Sequence, residues 1–201
     1  MLHVATLGPT GTNHELVVHR YMATLGIEDY TVHFVDTFTT AVDDLVAGRV
    51  DTIVQCAVHP ETPRVLGENF RRIFAVDSFI ADSQELGILT RRDVEDPKTL
   101  GILLPANRDY TDVSRWEELR NVGSLPTIAA MLLAGEIDAG LTYTSFAARH
   151  PDVLRVDEVI GSPDDVWIVY AQERVSTPGG LVGDPRSPGA RLLQRLADPA
   201  R

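Results

Sequence analysis

Short apolar bursts along the chain alternate between strand spacing and helix spacing. Residues 3–7, His-Val-Ala-Thr-Leu, form a partly β-branched run that reads as a buried strand, and residues 16–22 follow with a helical period. The two are joined by Gly8-Pro9-Thr10-Gly11-Thr12-Asn13-His14-Glu15, where two glycines and a proline punctuate a turn and Thr12, Asn13 or His14 can cap the helix. Residues 30–35 alternate as a second strand. Residues 40–47 read as a helix closed by Gly48, and residues 51–56 as a third strand, after which Pro60 and Pro63 are expected to end regular structure.

The stretch 40–55 has a counterpart at 127–142. Thr40/Thr127, Leu45/Leu132, Ala47/Ala134, Gly48/Gly135 and Asp51/Asp138 are identical, and apolar matches surround them. Each copy is a helix stopped by a glycine and followed at once by a buried strand, half of a βαβ unit, so two similar α/β lobes are expected. Between the copies, residues 71–80, 84–90 and 99–104 read as strands, a polar loop follows at 105–112, and a helix is expected through Trp116 and Leu119. After the second copy come a short helix ending near His150 and strands at 153–156 and 167–171. A Gly- and Pro-rich linker at 176–188 and an amphipathic helix at 190–196 complete the reading. The chain thus leaves lobe one (1–80), builds lobe two (81–162) and returns (163–201). The crossing places a cleft where the carboxyl ends of the strands and the starts of the helices gather, the usual place for a ligand.

Composition narrows the chemistry. A net charge of −11 disfavours nucleic acid and anionic membrane surfaces, so an anionic small molecule would have to be held by local donors. The single Cys56 rules out an internal disulfide and a cysteine-rich zinc site, and neither metal nor cofactor is expected. With no basic and apolar leader at the N-terminus and no apolar run of membrane-spanning length, the expectation is a soluble cytoplasmic protein; a homodimer stays open.

Several short motifs in their order along the chain resemble the prephenate dehydratases and, within that group, the prephenate decarboxylases of bacilysin-type antibiotic pathways. Thr6-Leu7-Gly8-Pro9-Thr10-Gly11-Thr12 is similar to the family's opening Leu-Gly-Pro-x-Gly-Thr, and Glu15 fits the decarboxylase form of that loop. Asp36-Thr37-Phe38, Arg72-Ile73-Phe74, residues 86–93 and Asp138-Ala139-Gly140-Leu141-Thr142 follow in order, so the resemblance spans nearly the whole chain to Gln172. It implies a two-lobed, type II periplasmic-binding-protein-like fold with the site in the cleft. The dehydratases' Thr-Arg-Phe motif, which serves loss of the ring hydroxyl, has no counterpart in Ser162-Pro163-Asp164-Asp165-Val166-Trp167, so the resemblance implies a cofactor-independent carboxy-lyase that retains the hydroxyl. His14 stands where relatives carry a small hydroxyl residue, and His59 is displaced from the position of the decarboxylases' loop histidine.

On this reading, backbone donors and hydroxyls at Gly11, Thr12, Asn13, Thr37, Ser124 and Thr127 bind the substrate's anionic groups, with Arg108 as the side-chain cation. His14 and His59 deliver the proton, because imidazole titrates near neutral pH. The alternatives are a related lyase acting on another carboxylate and a non-catalytic small-anion binding protein.

Overall fold

The computed structural model describes residues 1–175 and, beyond them, 180, 183, 184, 186, 190 and 193. Apart from those six positions, the linker expected at 176–188 and the helix expected at 190–196 lie outside the described residues. The elements run β1 (Leu2–Leu7), α1 (Asn13–Leu25), β2 (Tyr30–Val35), α2 (Phe38–Val46), β3 (Thr52–Cys56), α3 (Thr62–Asn69), β4 (Phe74–Asp82), β5 (Leu86–Arg91), β6 (Thr99–Ile102), β7 (Glu118–Asn121), α4 (Leu125–Ala134), β8 (Ala139–Tyr143), α5 (Ser145–Arg149), β9 (Leu154–Gly161) and β10 (Asp164–Ala171).

Two five-stranded sheets share one plan. The first has the order β2-β1-β3-β10-β4 and the second β7-β6-β8-β5-β9. In each, three strands pair in parallel, and a single reversed strand, β10 or β5, joins them antiparallel to the edge strand β4 or β9. Strands β3 and β8 are buried along their whole length, which is why both read as unbroken runs rather than alternating ones. In the first lobe α1 covers one face of the sheet through Val17, Val18 and Met22, and α2 covers the other through Phe38, Ala41, Val42 and Leu45. In the second, α4 packs Ile128 and Leu132 against the sheet. Gly135 ends α4 with φ +75°, a left-handed turn that leaves its N–H free to bond the Leu132 carbonyl. The helix–Gly–strand copies noted in the sequence are α2–β3 and α4–β8, which occupy equivalent places in the two sheets.

Two local expectations are corrected. The helix through Trp116 and Leu119 is a single 3₁₀ turn, Val113–Arg115, followed by strand β7. Asp112 caps only that turn through the Ser114 N–H, and Leu119 then lies beside Leu100 in parallel register, the place that β2 takes in the other lobe. Pro63, expected to end regular structure, instead lies in the first turn of α3, where its missing N–H has no helical partner to lose. Among the described residues no helix is long and apolar enough to cross a membrane.

Strand β8 and helix α4 touch closely enough to be tested. A Cβ on Gly140 would stand 2.4 Å from Ile128 Cγ2 and 3.1 Å from Leu132 Cδ1, both on fully buried side chains. Gly140→Ala is therefore expected to cost about 1–3 kcal/mol, read from the midpoint of chemical denaturation. A midpoint equal to that of the parent would mean that α4 can move off the sheet without penalty.

Candidate functional site

The chain passes between lobes twice, at residues 83–85 and 162–163, and the two passages are bonded where the Ser83 N–H donates to the Pro163 carbonyl at 2.9 Å. Beside them the start of α1 meets the second lobe. The Asn13 N–H donates to the Tyr143 hydroxyl at 2.8 Å, and Asn13 Oδ1 accepts from the Gln84 N–H at 3.2 Å. The space enclosed there is a cavity of about 160 Å³ that opens to solvent at its mouth.

Asn13, His14 and His59 line this cavity; Gly11, Thr12, Thr37, Arg108, Ser124 and Thr127 do not. At the three helix starts several donors are met from within the protein. At α1 the Glu15 carboxylate turns back to accept from the Gly11 N–H and the Thr10 hydroxyl, Thr12 Oγ1 accepts from the Glu15 N–H, and the Asn13 N–H is taken by Tyr143. Burial works against ionisation of Glu15, but the Gly11 N–H and the Thr10 hydroxyl outweigh it and hold its carboxyl below the usual range. At α2, Thr37 caps the Thr40 N–H and the Glu61 carboxylate accepts the Phe38 N–H. At α4, Ser124 Oγ caps the Thr127 N–H and also bonds the Thr127 hydroxyl. The N–H groups of Gly11, Asn13 and Thr127 and the hydroxyls of Thr12, Thr37, Ser124 and Thr127 are thus engaged within the protein. Arg108 is exposed in a 3₁₀ turn beside the lining residues Asn107 and Tyr110. Among the described residues no Lys or Arg lines the cavity.

One wall is a cluster of rings. His14 lies edge-on to Trp167 with centroids 5.0 Å apart, 5.9 Å from Phe38 and 6.5 Å from His59, which in turn meets Phe38 at 5.1 Å. His14 Nε2 is enclosed without a hydrogen-bond partner among the described residues. Burial, helped by His59, drives its pKa from 6.5 down to about 3, so the ring is neutral at pH 7 and cannot serve as an imidazolium donor there. His59 is pushed down less, since Glu61 nearby opposes the burial. Its Nδ1 accepts from the Glu61 N–H at 3.2 Å, which leaves the proton of the neutral ring on Nε2. Cys56 faces the same cavity with its thiol pushed up to about 11 by burial and by Asp165, so it is neutral and not a nucleophile.

Sequence reading did not single out Asp165, Tyr143 or Asn107. Asp165 lines the cavity from β10, two positions before the buried Trp167 and hence on the same face of the strand. Burial and the neighbouring Asp164 raise its carboxyl above the ordinary range. Strand alternation around Trp167 was the signal available for it. Tyr143 is the last residue of β8, buried, with its hydroxyl pushed up to about 12 by burial despite the bond from Asn13. Asn107 Oδ1 is buried without a partner among the described residues. Among these residues no group of three His, Cys, Asp or Glu converges as a metal site would require.

Neither a family model nor a curated protein matches this sequence. Solved structures do. The fold is similar to that of prephenate dehydratase from Arthrobacter aurescens in complex with L-Phe, at 20% identity and a TM-score of 0.63 over 87% of this chain and 61% of that one; this chain therefore spans less than two thirds of that protein. It is also similar to the periplasmic VFT2 domain of Bordetella pertussis BvgS (14% identity, TM-score 0.53, 85% of this chain and 80% of that one). A third likeness is to GqqA, a quorum quenching acylase (12%, 0.51, 97% and 75%). The protein has the two-lobed, type II periplasmic-binding-protein-like fold, with similar α/β lobes around a cleft, as in prephenate dehydratase catalytic domains.

The buried imidazole supplies a pH test. A folded pKa of about 3 against 6.5 means that His14 adds stability fully above pH 6.5, and that this is lost as the pH falls toward 3. Between pH 7 and pH 4 the parent should lose about 3 kcal/mol more than His14→Phe, measured by denaturant unfolding at both pH values. Parallel losses in the two proteins would show that His14 charges freely in the fold.

Proposed function

We propose that this protein is a cofactor-independent lyase that releases carbon dioxide from prephenate or a close relative and leaves the ring hydroxyl in place, giving a non-aromatic dihydro-hydroxyphenylpyruvate type of product. One observation carries the reading. The cavity between the lobes is walled by Leu86, Leu103, Leu125 and Val58, holds no Lys or Arg among the described residues, and gathers His59, His14 and Asp165 at its edge.

Such a pocket suits decarboxylation better than hydroxyl expulsion. A carboxylate set against aliphatic walls loses the water that stabilises it, and charge leaves it as the carbon–carbon bond breaks. The electron pair moves through the diene to a distal ring carbon, which takes one proton, so the balance is one carbon dioxide released and one proton consumed. His59 Nε2–H and the raised carboxyl of Asp165 are the groups able to give that proton, while His14, neutral and enclosed, orients the rings around it. The fold shared with prephenate dehydratase supports the substrate class by analogy, and the absence of a Thr-Arg-Phe motif on β10 favours retention of the hydroxyl. A second reading, a non-catalytic binding module, is favoured by the Tyr143–Asn13 bond, which closes the two lobes over the cavity as a receptor closes over its ligand.

The test is incubation of the full chain with prephenate, following carbon dioxide and the conjugated products by chromatography and mass. Release of carbon dioxide with the hydroxyl retained is expected, and His59→Ala should lower kcat about 10²-fold. Phenylpyruvate as product would make the protein a dehydratase; saturable binding without turnover would make it a receptor.

A further inference from the structure

We infer that Arg108 is the carboxylate anchor of this site: at the mouth of the cavity it holds the carboxylate that the ligand keeps, while the ring lies inside. The inference rests on the proposed function for the class of ligand, and adds which residue selects it and which end of it faces solvent.

Arg108 differs from the other basic residues in having no partner. Acids outnumber Lys and Arg by 29 to 18, so an arginine here is not left single for want of acids. Every other arginine among the described residues, and Lys98, is bonded to an oxygen or lies over an aromatic ring. The exposed Arg108 guanidinium has no such contact among them, not even with Asp109 beside it in the chain.

Its place in the fold agrees. Arg108 opens a 3₁₀ turn, Arg108–Tyr110, directly after Asn107, and both Asn107 and Tyr110 line the cavity. Residues three apart in such a turn fall on one side, so Arg108 stands a third of a turn from the side that faces the cavity. The backbone there is held: the Asn107 N–H donates to the Leu103 carbonyl at 2.9 Å, that of Arg108 to Pro105 at 3.2 Å and that of Tyr110 to Asn107 at 3.2 Å. A fixed backbone thus carries an unattached guanidinium on a long, rotatable side chain at the rim.

The lining supplies the need for it. Leu86, Leu103 and Leu125 wall the second-lobe side, Asp165 stands on the first-lobe side, and no Lys or Arg belongs to the lining among the described residues. A carboxylate that is to leave as carbon dioxide belongs against the aliphatic wall, but a second one buried beside it would have no counter-charge. At the mouth that second carboxylate meets water and a planar fork that matches it with two parallel N–H···O bonds. Position then tells the two carboxylates of one ligand apart.

Two probes decide the matter: 4-hydroxyphenylpyruvate, which carries one carboxylate, and 4-hydroxyphenylacetone, in which a methyl group replaces it. Each is titrated by calorimetry into the full chain and into Arg108→Gln, a change at an exposed position, at pH 7 and two salt concentrations. In the parent the carboxylate probe is expected to bind at least ~10-fold more tightly, a preference that shrinks as salt is raised and vanishes in Arg108→Gln. With prephenate, Arg108→Gln is expected to lose activity chiefly through KM, raised about 10-fold, because the retained carboxylate is gripped alike before and during bond breaking. The inference is overturned if the neutral probe binds as tightly in the parent, if neither probe binds, if the preference survives in Arg108→Gln, or if the loss with prephenate falls on kcat alone. A preference that depends on Arg108 without turnover of prephenate would remove the decarboxylase reading and keep the anchor; turnover without the preference would remove the anchor alone.

Discussion

The hydrogen bond from the Asn13 N–H to the Tyr143 hydroxyl sets the relation between the two halves of the molecule. The first N–H groups of a helix have no partners within it and must find them elsewhere. At α1 the Gly11 N–H is met by Glu15, the Glu15 N–H by Thr12, and the Asn13 N–H by a residue from the other lobe. Tyr143 ends β8, a central strand of the second sheet, so satisfying one backbone group draws the carboxyl edge of that sheet toward the first. Each lobe has its own core, and a bond of this kind contributes only about 1 kcal/mol net.

At α1 and α2, Glu15 and Glu61 each take one backbone N–H that would otherwise be open to an anion. Their carboxylates are ordinary anions on ordinary donors, and the consequence lies in what remains. The cavity keeps aliphatic walls, rings, two imidazoles lowered by burial, and the carboxyl of Asp165 raised by it. Burial thus moves the acid and the bases in opposite directions, each toward its uncharged form, as a low-dielectric site requires.

The two-lobed plan could be read from the sequence because its signal is repeated: Leu45-Val46-Ala47-Gly48 and Leu132-Leu133-Ala134-Gly135 end equivalent helices before equivalent buried strands. Strand β7 was missed because Trp116 and Leu119 stand three apart, a helical spacing, whereas tertiary pairing with β6 dictates the structure there. Helix α3 was missed because proline was taken as a stop rather than as a first-turn residue. For the site, His14 and His59 could be found by residue type and position, and the cavity does contain both. Their protonation could not, since it depends on which rings enclose them. Glycine and hydroxyl residues at helix starts suggested free donors; that glutamates three or four positions along, or on a different loop, already fill those donors is a matter of side-chain direction that no spacing rule contains.

Long-range and local electrostatics then act separately on a ligand. The net charge of −11 is spread over a surface where interactions fade within roughly 8 Å at physiological salt, so it shapes approach more than residence. Inside the cavity screening is weaker, and the free energy of one charge beside another at contact distance rises to several kcal/mol, about 4 at an effective dielectric constant near 20. The desolvation of Asp165 has already been incurred when β10 takes its place between β3 and β4, and is carried by the burial of Trp167, Val169 and Tyr170 on the same strand. Raising the Asp165 carboxyl toward its protonated form lessens its repulsion of an anionic ligand and makes it better able to give a proton. A single acid thus stands at the cavity wall where the packing of β10 ends.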